Sequence, residues 1–377
     1  MQARAIVPAG AGALFLAATT RLGTDYPFDA RPAISALARG DLHGFTGDQA
    51  QMGPFSLIVR APAVALAGTD SVWGYRLGAL VCLLAVIALG GFIAQRAGTS
   101  YGVIAALLLI VNPVSIDALR LGHPEERLGS ALCVIALLLA RERRLTGAGV
   151  ALGAALATKQ WALIAIAPVL LATPREGRMR VALTAGGVAA AIVGPLALAD
   201  PRTFFAAMHH PAFGVAEMRT GNLWGWAALT GHISLGGADT ATTYVVPGWL
   251  QHGAHPFVAL LTLGLGAAAL RSRRSIDPLA LLAALMLARC ALDPWNHAYY
   301  HAPFLAALIA WEVLEARRAP WLSAAGAGFL GIVFGLHLPL ADALYALWAV
   351  PMLLWLSRRA LRSAPLRAPR PVPLATA

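Results

Sequence analysis

The chain has 377 residues, of which 58% are hydrophobic and 12% are charged, and its formal net charge is +11. Soluble domains usually contain about 25% charged residues, so this chain has too little polar sequence to cover a soluble fold of its size. Long apolar runs recur from one end to the other, as in a polytopic membrane protein. The composition therefore excludes a soluble enzyme and a soluble nucleic-acid-binding domain.

The apolar segments, taken in chain order, predict about twelve helices with boundaries uncertain by a few residues. They are 4–20, 72–95, 100–117, 127–140, 145–158, 160–173, 181–199, 255–270, 277–292, 300–314, 321–337 and 342–357. Several are shorter than the ~20 residues of a full span, so we expect some to be tilted, half-inserted or merged. The fold class predicted is an all-α bundle of about 10–13 transmembrane helices with an extended first outer loop.

Two apolar segments need separate interpretation. The first, from about Ala5 to Ala18, resembles a signal-peptide core but is followed by no convincing cleavage site, so we interpret it as an uncleaved helix. The segment 54–68 is too short to span and contains Arg60. It is more typical of a helix lying at the membrane interface.

Short arginine runs between the apolar segments set the predicted topology. They are RERR (141–144), REGRMR (175–180), RSRR (271–274), Arg317–Arg318 and the tail from Arg358. Such runs stay on the cytoplasmic side and explain the positive charge without nucleic acid. The cysteines, Cys82, Cys133 and Cys290, are too few and too scattered for a disulfide framework or a zinc site.

This topology predicts one transmembrane domain, residues 1–357, and a disordered, Arg/Pro-rich cytoplasmic tail, 358–377. The outer segments are 21–71, 118–126, 200–254 and 293–302. All ten histidines and most of the acids fall on this outer side or at its membrane edge. Because a transporter would hold polar groups near the midplane, the pattern favours a site at the outer face of the plasma membrane.

The first outer loop carries two acids soon after the first helix, Asp25 and Asp29. A carboxylate at a membrane edge, close to apolar helix ends, acts as a general base if its pKa is raised. The alternative is that both are ordinary loop acids or helix caps. Spacing alone leaves these two roles open.

The segment GHPEER (122–127) places a polar cluster at a turn between two apolar helices. Pro124 followed by Glu125 and Glu126 is typical of a helix N-terminus, where acids interact favourably with the helix dipole. This structural role suits Glu125 best, and it explains His123 and Glu126 less well. All three are therefore candidate site residues, and Arg120 lies near enough in sequence to pair with them.

Lys159 is the chain's single lysine, and it falls on the side opposite to the arginine runs. It either snorkels to the interface or binds a phosphate at the membrane surface as a point charge. We favour phosphate binding, with Arg120 or Arg289 as the second cation.

The segment RCALDPWNHAYYHAPF (289–304) supplies further candidates for substrate contact: Asn296, His297, Tyr300 and His301. His297 and His301 are spaced like a metal-binding pair, but the sequence places no third ligand. We therefore predict no cofactor, although this spacing leaves a divalent metal open. The aromatic residues of GNLWGW (221–226) suit either a membrane-interface belt or stacking on a sugar ring.

The order of these features resembles the GT-C superfamily of membrane glycosyltransferases, in particular the actinobacterial mannosyltransferases that use polyprenyl-phosphate-mannose. The resemblance covers most of residues 20–172. It rests on Asp25, Tyr26, AISALARG (33–40), MGPF (52–55), VNPVSIDALRLGHPEE (111–126) and GAGVALGAALATKQ (147–160).

The resemblance implies an inverting, often metal-independent transfer of a hexose, with mannose favoured, from a polyprenyl-phosphate donor to a glycolipid or polysaccharide acceptor. By position, Asp25 matches the family's catalytic base. Asp29, which stands where many members have Tyr, is the alternative base. The family's turn usually has Gln where this chain has His123. The implied partners are the donor, the acceptor and the bilayer, and no nucleic acid.

Three other functions compete with this interpretation. A transporter or flippase of a lipid-linked saccharide explains the hydrophobicity and the aromatic residues, but it predicts functional polar groups on both faces. A membrane scaffold does not explain the clustered titratable residues. An intramembrane hydrolase needs a nucleophile or a motif such as HExxH, and the sequence contains neither.

Overall fold

In the computed structural model, the chain is described over residues 2–49, 52–98, 100–213, 217–228, 230–233, 242–272, 275–335 and 340–361. These residues are almost entirely helical, which confirms the predicted all-α class. The helices are α1 Gln2–Thr19, α2 Tyr26–Asp29, α3 Arg31–Ala38, α4 Leu42–Asp48, α5 Pro54–Ala67, α6 Val72–Ala97, α7 Ser100–Ile110, α8 Pro113–Leu121, α9 Pro124–Arg141, α10 Leu145–Leu156, α11 Ile166–Ala172, α12 Arg178–Ala199, α13 Pro201–Phe213, α14 Gly248–Arg271, α15 Pro278–Leu292, α16 Ala302–Leu314, α17 Trp321–Gly335 and α18 Leu340–Leu361. Short 3-10 helices cover Gln160–Ala165, Arg175–Gly177, Gly225–Ala227 and Ala298–His301.

Five helical segments of the described chain are long and apolar enough to cross a membrane. They are Val72–Ala97, Ser100–Leu121, Arg175–Ala199, Gly248–Arg271 and Leu340–Leu361. Shorter apolar helices cover Arg4–Thr19, Pro54–Ala67, Leu145–Leu156, Gln160–Ala172, Pro278–Leu292 and Trp321–Gly335. The short segments that the sequence indicated are therefore present as short helices packed within the bundle.

Three predicted helices differ in extent from the structure, and one of them, α14, begins at Gly248 rather than at 255. The helix expected over 100–117 is interrupted, because α7 ends at Ile110 and α8 begins at Pro113. Asn112 caps the new helix by accepting a hydrogen bond from the Ser115 backbone N–H at 3.0 Å, and Pro113 at the first helical position has no N–H to satisfy. Helix α18 continues to Leu361, past the predicted start of the tail. Residues 362–377 lie outside the described residues.

A small antiparallel sheet, not predicted from the sequence, lies in the long segment between α13 and α14. Strands β1 Glu217–Arg219, β2 Thr230–Ile233 and β3 Thr242–Val245 pair in the order β1-β3-β2. Met218 and Gly231 both stand opposite Tyr244 on the central strand. Backbone hydrogen bonds from Arg219 to Pro294 and from Leu223 to Ala291, each 3.0 Å, fasten this segment to the end of α15.

The predicted helix at 54–68 is present as α5, but its arginine does not face an interface. The Arg60 side chain is 0% exposed and is enclosed where α5 packs on α6. Burial of a guanidinium is costly unless a partner compensates its charge. Its position therefore indicates a partner inside the bundle.

The first loop, which follows α1, docks directly on the turn that follows α8. A Cβ atom on Gly23 would lie 2.4 Å from the Cα of Gly122, so both positions need glycine for the two backbones to touch. Gly122 also has φ +103°, in the left-handed region that favours glycine. The backbone N–H of Asp25 donates to the Leu121 carbonyl at 2.9 Å. This contact places Asp25 beside the GHPEER turn.

Candidate active site

One cavity of about 1120 Å³ collects most of the predicted site residues. Its polar wall includes Asp25, Asp29, His123, Glu126, Lys159, Arg289, His297 and Tyr300. These residues come from the first loop, the 122–127 turn, the 158–160 turn, and the end of α15 with the 293–302 segment that follows it. The fold therefore brings together four segments that are far apart in the sequence.

His123 links the first loop to α9. Its Nε2 lies 3.0 Å from Oδ2 of Asp25 and 4.0 Å from Oδ2 of Asp29. Its Nδ1 lies 3.0 Å from Oε1 of Glu125. The imidazole also stacks on the Tyr299 ring, with centroids 4.6 Å apart and planes 13° apart. The ring is thus fixed both in its plane and at its two nitrogens.

Glu125 lies beneath the cavity and contacts several basic side chains. Besides His123, it contacts Lys159, whose Nζ is 3.0 Å from Oε1. Its other oxygen, Oε2, is 3.7 Å from Nη1 of Arg60. Glu125 and Arg60 are both fully buried. Glu125 therefore offsets the charge of Arg60 as an ion pair without a hydrogen bond, and His123, Lys159 and Arg60 approach Glu125 from three segments.

Lys159 does not snorkel to an interface. Its side chain is only 13% exposed and lies between Glu125 and Glu126, with Nζ 3.4 Å from Oε1 of the latter. Burial opposes the charge, but these two carboxylates outweigh it and raise the pKa of Lys159. The lysine is therefore a fixed cation at the cavity wall.

The two candidate bases have opposite pKa shifts. Burial acts to raise the pKa of Asp25, but the hydrogen bond and charge of His123 outweigh it, with help from Thr24 and Arg219, so the pKa is lowered. Burial raises the pKa of Asp29, and His123 at 4.0 Å only partly offsets this. Asp25 is the more firmly ionised carboxylate, and Asp29 is the more basic one.

Two arginines line the cavity and lie beside aromatic rings. Arg289 on α15 lies over the rings of Trp161 and Tyr300, 5.6 and 4.6 Å from their centroids, and donates to the Tyr300 carbonyl at 3.3 Å. Arg219 on β1 lies 4.6 Å from the Trp295 ring centroid and 3.3 Å from Nδ1 of His297. Stacking on aromatic rings holds guanidinium groups in place for anion binding.

A large part of the remaining cavity wall is apolar. Its apolar side chains include Leu163, Ile164, Val193, Phe204, Val258, Leu260 and Leu263. Leu260 and Leu163 are 73% and 44% exposed, so the cavity reaches the outer surface of the helices. In a membrane-spanning bundle, this outer apolar surface meets lipid.

Four predicted site residues lie outside the cavity wall. Arg120 is half-exposed and pairs with Asp117 at 3.2 Å. Glu125 lies below the wall as described. Asn296 is buried and donates to the Gly221 carbonyl at 2.6 Å. His301 is buried with Nε2 2.8 Å from the Tyr345 hydroxyl and Nδ1 3.1 Å from the His297 carbonyl.

His297 and His301, which are spaced like a metal-binding pair in the sequence, do not form one, because His301 faces Tyr345 and backbone carbonyls. Among the described residues, one other group has the spacing of a metal site. Asp25, Asp29 and His123 each place a nitrogen or oxygen within 4.8 Å of the others. Two carboxylates and an imidazole suit a divalent cation chemically, but the same spacing is that of the ion pairs among these three side chains.

Several lining residues were not predicted from the sequence. Arg219 belongs to the unpredicted sheet, and no pattern signals its approach to His297. His255 and Asp293, 3.4 Å apart, also line the cavity. The sequence predicted Arg60 in a helix at the membrane interface, whereas its side chain lies inside the bundle. A lone arginine in an apolar segment was the available signal, because such a residue usually faces the bundle interior with a partner.

Comparisons with known proteins show which family model and which solved structure the chain resembles. Residues 44–175 match the family model for the alpha-(1->6)-mannopyranosyltransferase N-terminal domain. The structure is similar to the crystal structure of ArnT from Cupriavidus metallidurans bound to undecaprenyl phosphate, with a TM-score of 0.54 and 15% sequence identity. This match covers 94% of the present chain and 76% of ArnT. No match was found among curated proteins.

The chain has a GT-C fold. The similarity to ArnT extends over nearly the whole chain, and the mannosyltransferase model covers about a third of it. The resemblance inferred from the sequence motifs is thereby confirmed. Together, the fold and the family model support a multi-pass membrane glycosyltransferase.

Proposed function

We propose that this glycosyltransferase moves a hexose, with mannose favoured, from a polyprenyl-phosphate donor to a glycolipid or polysaccharide acceptor at the extracytoplasmic face of the plasma membrane. The observation that carries the proposal is the composition of one cavity. Asp25 and Asp29 share it with Lys159, Arg219 and Arg289, and it continues between exposed leucines of the helix surface. A lipid-linked sugar phosphate needs carboxylates near the sugar, cations around the phosphate and an apolar surface for the lipid chain, and this cavity has all three.

The proposed donor fits the two parts of the cavity. Its prenyl chain lies along the apolar side chains, including Leu163 and Leu260, which face the lipid. Its phosphate lies between Lys159 and Arg289. The similar ArnT structure is bound to undecaprenyl phosphate, which supports a carrier of this class.

The proposed reaction is an inverting displacement. The acceptor hydroxyl oxygen attacks the anomeric carbon of the donor sugar, and the bond between that carbon and the phosphate oxygen breaks. Asp25 accepts the hydroxyl proton. The departing polyprenyl phosphate gains negative charge, which the cations already in place at the cavity wall stabilise. The displacement is balanced in atoms and electrons without a redox partner or a further co-reactant.

Asp25 is preferred as the base on position and orientation. Its Oδ2 is held by His123, its Oδ1 accepts from the Thr24 hydroxyl at 3.1 Å, and the side chain is 40% exposed to the cavity side. Asp29 has the higher pKa and is the alternative base. We propose that the reaction needs no metal or other cofactor, since the cations of the chain itself surround the leaving phosphate.

The test is transfer of label by the purified chain in lipid nanodiscs. It is incubated with radiolabelled polyprenyl-phosphate-mannose and a membrane-glycolipid extract, and a parallel reaction uses Arg289→Ala. We expect label to move to the acceptor or to be released slowly by water, and the variant to be slower. Transbilayer movement of an intact donor in proteoliposomes, without transfer, would instead favour the flippase.

A further inference from the structure

We propose that His123 is a buried imidazolium that positions Asp25, and that it takes the place between the surrounding carboxylates that a divalent cation would otherwise occupy. The inference deepens the proposed function, since it rests on Asp25 having the catalytic role assigned above. Its physical basis is the hydrogen-bond geometry of a single ring.

Both ring nitrogens of His123 face carboxylate oxygens. Nδ1 is 3.0 Å from Glu125, and Nε2 is 3.0 Å from Asp25. A neutral imidazole has one N–H and one bare nitrogen, which accepts hydrogen bonds. A bare nitrogen at 3.0 Å from a carboxylate oxygen is repelled by it. The two contacts are satisfied together when both nitrogens carry protons.

The surroundings keep this proton on the imidazole. Glu125 is itself held by Lys159 at 3.0 Å and by Arg60 at 3.7 Å, so it stays ionised. The groups that act on the His123 ring are Asp25 and Asp29 from the first loop, Glu125 on α9, Lys159 before the 3-10 helix, and His297 and Tyr299 in the 293–302 segment. Burial opposes the charge on His123, but Glu125 and Asp25 outweigh it and raise its pKa to about 9.

The charged ring has two consequences for Asp25. It fixes one carboxylate oxygen by a charge-assisted hydrogen bond, which is stronger and more directional than a neutral one. It also places a positive charge within 4.0 Å of both candidate bases, which would otherwise repel each other. A divalent cation would supply a larger positive charge but would have to displace the proton from Nε2. The site thus carries its counter-charge in the chain itself.

The first measurement is nuclear magnetic resonance of the full chain in nanodiscs, with nitrogen-15 incorporated at histidine only. Among the histidines with both ring nitrogens protonated at neutral pH, we expect one whose signals vanish in His123→Gln. If that variant does not fold, Asp25→Asn assigns the same ring by shifting its Nε2 signal. Glu125→Gln should move His123 toward the neutral form. Glu126→Gln is the matched control and should not, because Glu126 pairs with Lys159 rather than with the ring.

A single bare nitrogen on His123 at neutral pH would overturn the proposal. So would saturable binding of Mn²⁺ or Zn²⁺ that is lost in His123→Gln and that restores transfer after chelation. We expect chelated enzyme to keep its full rate. The resonance signals do not depend on turnover. An inactive preparation would therefore count against the proposed function, and the signals would still show whether His123 is an imidazolium.

Discussion

Asp25 and His123 are 98 residues apart in the chain, and a 3.0 Å hydrogen bond joins their side chains. The bond forms because Gly23 and Gly122 allow the first loop and the turn after α8 to touch through their backbones. It connects the proposed base to Glu125, and through Glu125 to Lys159 and Arg60. The consequences can be measured at each of these positions.

Asp25→Asn is expected to reduce transfer by about 10²–10⁴-fold, the usual effect of removing a general base. Asp29→Asn should cost less, because its Oδ2 is 4.0 Å from His123 and its carboxylate is not held in one orientation by a short hydrogen bond. Initial rates of label transfer distinguish the two. Thermal melting of both variants serves as the folding control. A larger loss in Asp29→Asn would move the base to that residue.

The pH dependence of transfer should follow His123. Its pKa is raised from 6.5 to about 9, so the charge on the ring is present at neutral pH and is lost as the pH rises through about 9. We expect kcat/KM to fall on this alkaline limb. In His123→Gln the rate should be lower and the limb absent. An unchanged alkaline limb in that variant would assign it to another group.

Removing the buried charge of Arg60 should destabilise the chain. Arg60→Met leaves Glu125 with one cation fewer, and breaking one partner of a buried pair typically costs about 3–5 kcal/mol. We expect the lower end of that range, since Lys159 and His123 still contact Glu125. The control is Arg31→Met, which removes an exposed pair with Asp70 worth about 0–1 kcal/mol. Equal losses of unfolding free energy would contradict the assigned role.

Donor binding should depend on the cations that line the cavity. Lys159→Ala and Arg289→Ala are each expected to weaken binding of a polyprenyl-phosphate probe by about tenfold or more, or roughly 1.4 kcal/mol. Arg120→Ala is the matched control, because Arg120 is half-exposed and pairs with Asp117 outside the cavity. Equilibrium binding in nanodiscs compares the three. Unchanged affinity in Lys159→Ala would limit that lysine to holding Glu125 and Glu126.

Gly122→Ala should separate the two loops. The residue has φ +103°, and a Cβ there would lie 2.7 Å from the Tyr26 backbone nitrogen. The left-handed conformation alone costs a residue with a Cβ about 1–2 kcal/mol. We expect loss of transfer as Asp25 moves away from His123. Gly186→Ala on α12, where nothing lies within 4 Å, is the control. Its activity should be unchanged.

The sequence by itself determined the class of the protein and most of its helices. Twelve apolar segments between arginine runs predicted an all-α membrane bundle, and burial in lipid requires nearly every backbone group to be paired within a helix. Composition therefore constrains secondary structure more strongly here than in a soluble domain. It also drew attention to Asp25, His123 and Lys159, because polar residues stand out in so apolar a chain.

The tertiary structure alone decided which of these residues meet. Sequence patterns report local burial and helix faces, but they contain no distance between a loop near residue 25 and a turn near residue 123. His301 was predicted beside His297 from helical spacing, yet its ring turns to Tyr345. Arg60 looked interfacial because one arginine in a short apolar helix has no visible partner. Its partner, Glu125, lies on another helix, and only packing brings the two charges within 3.7 Å.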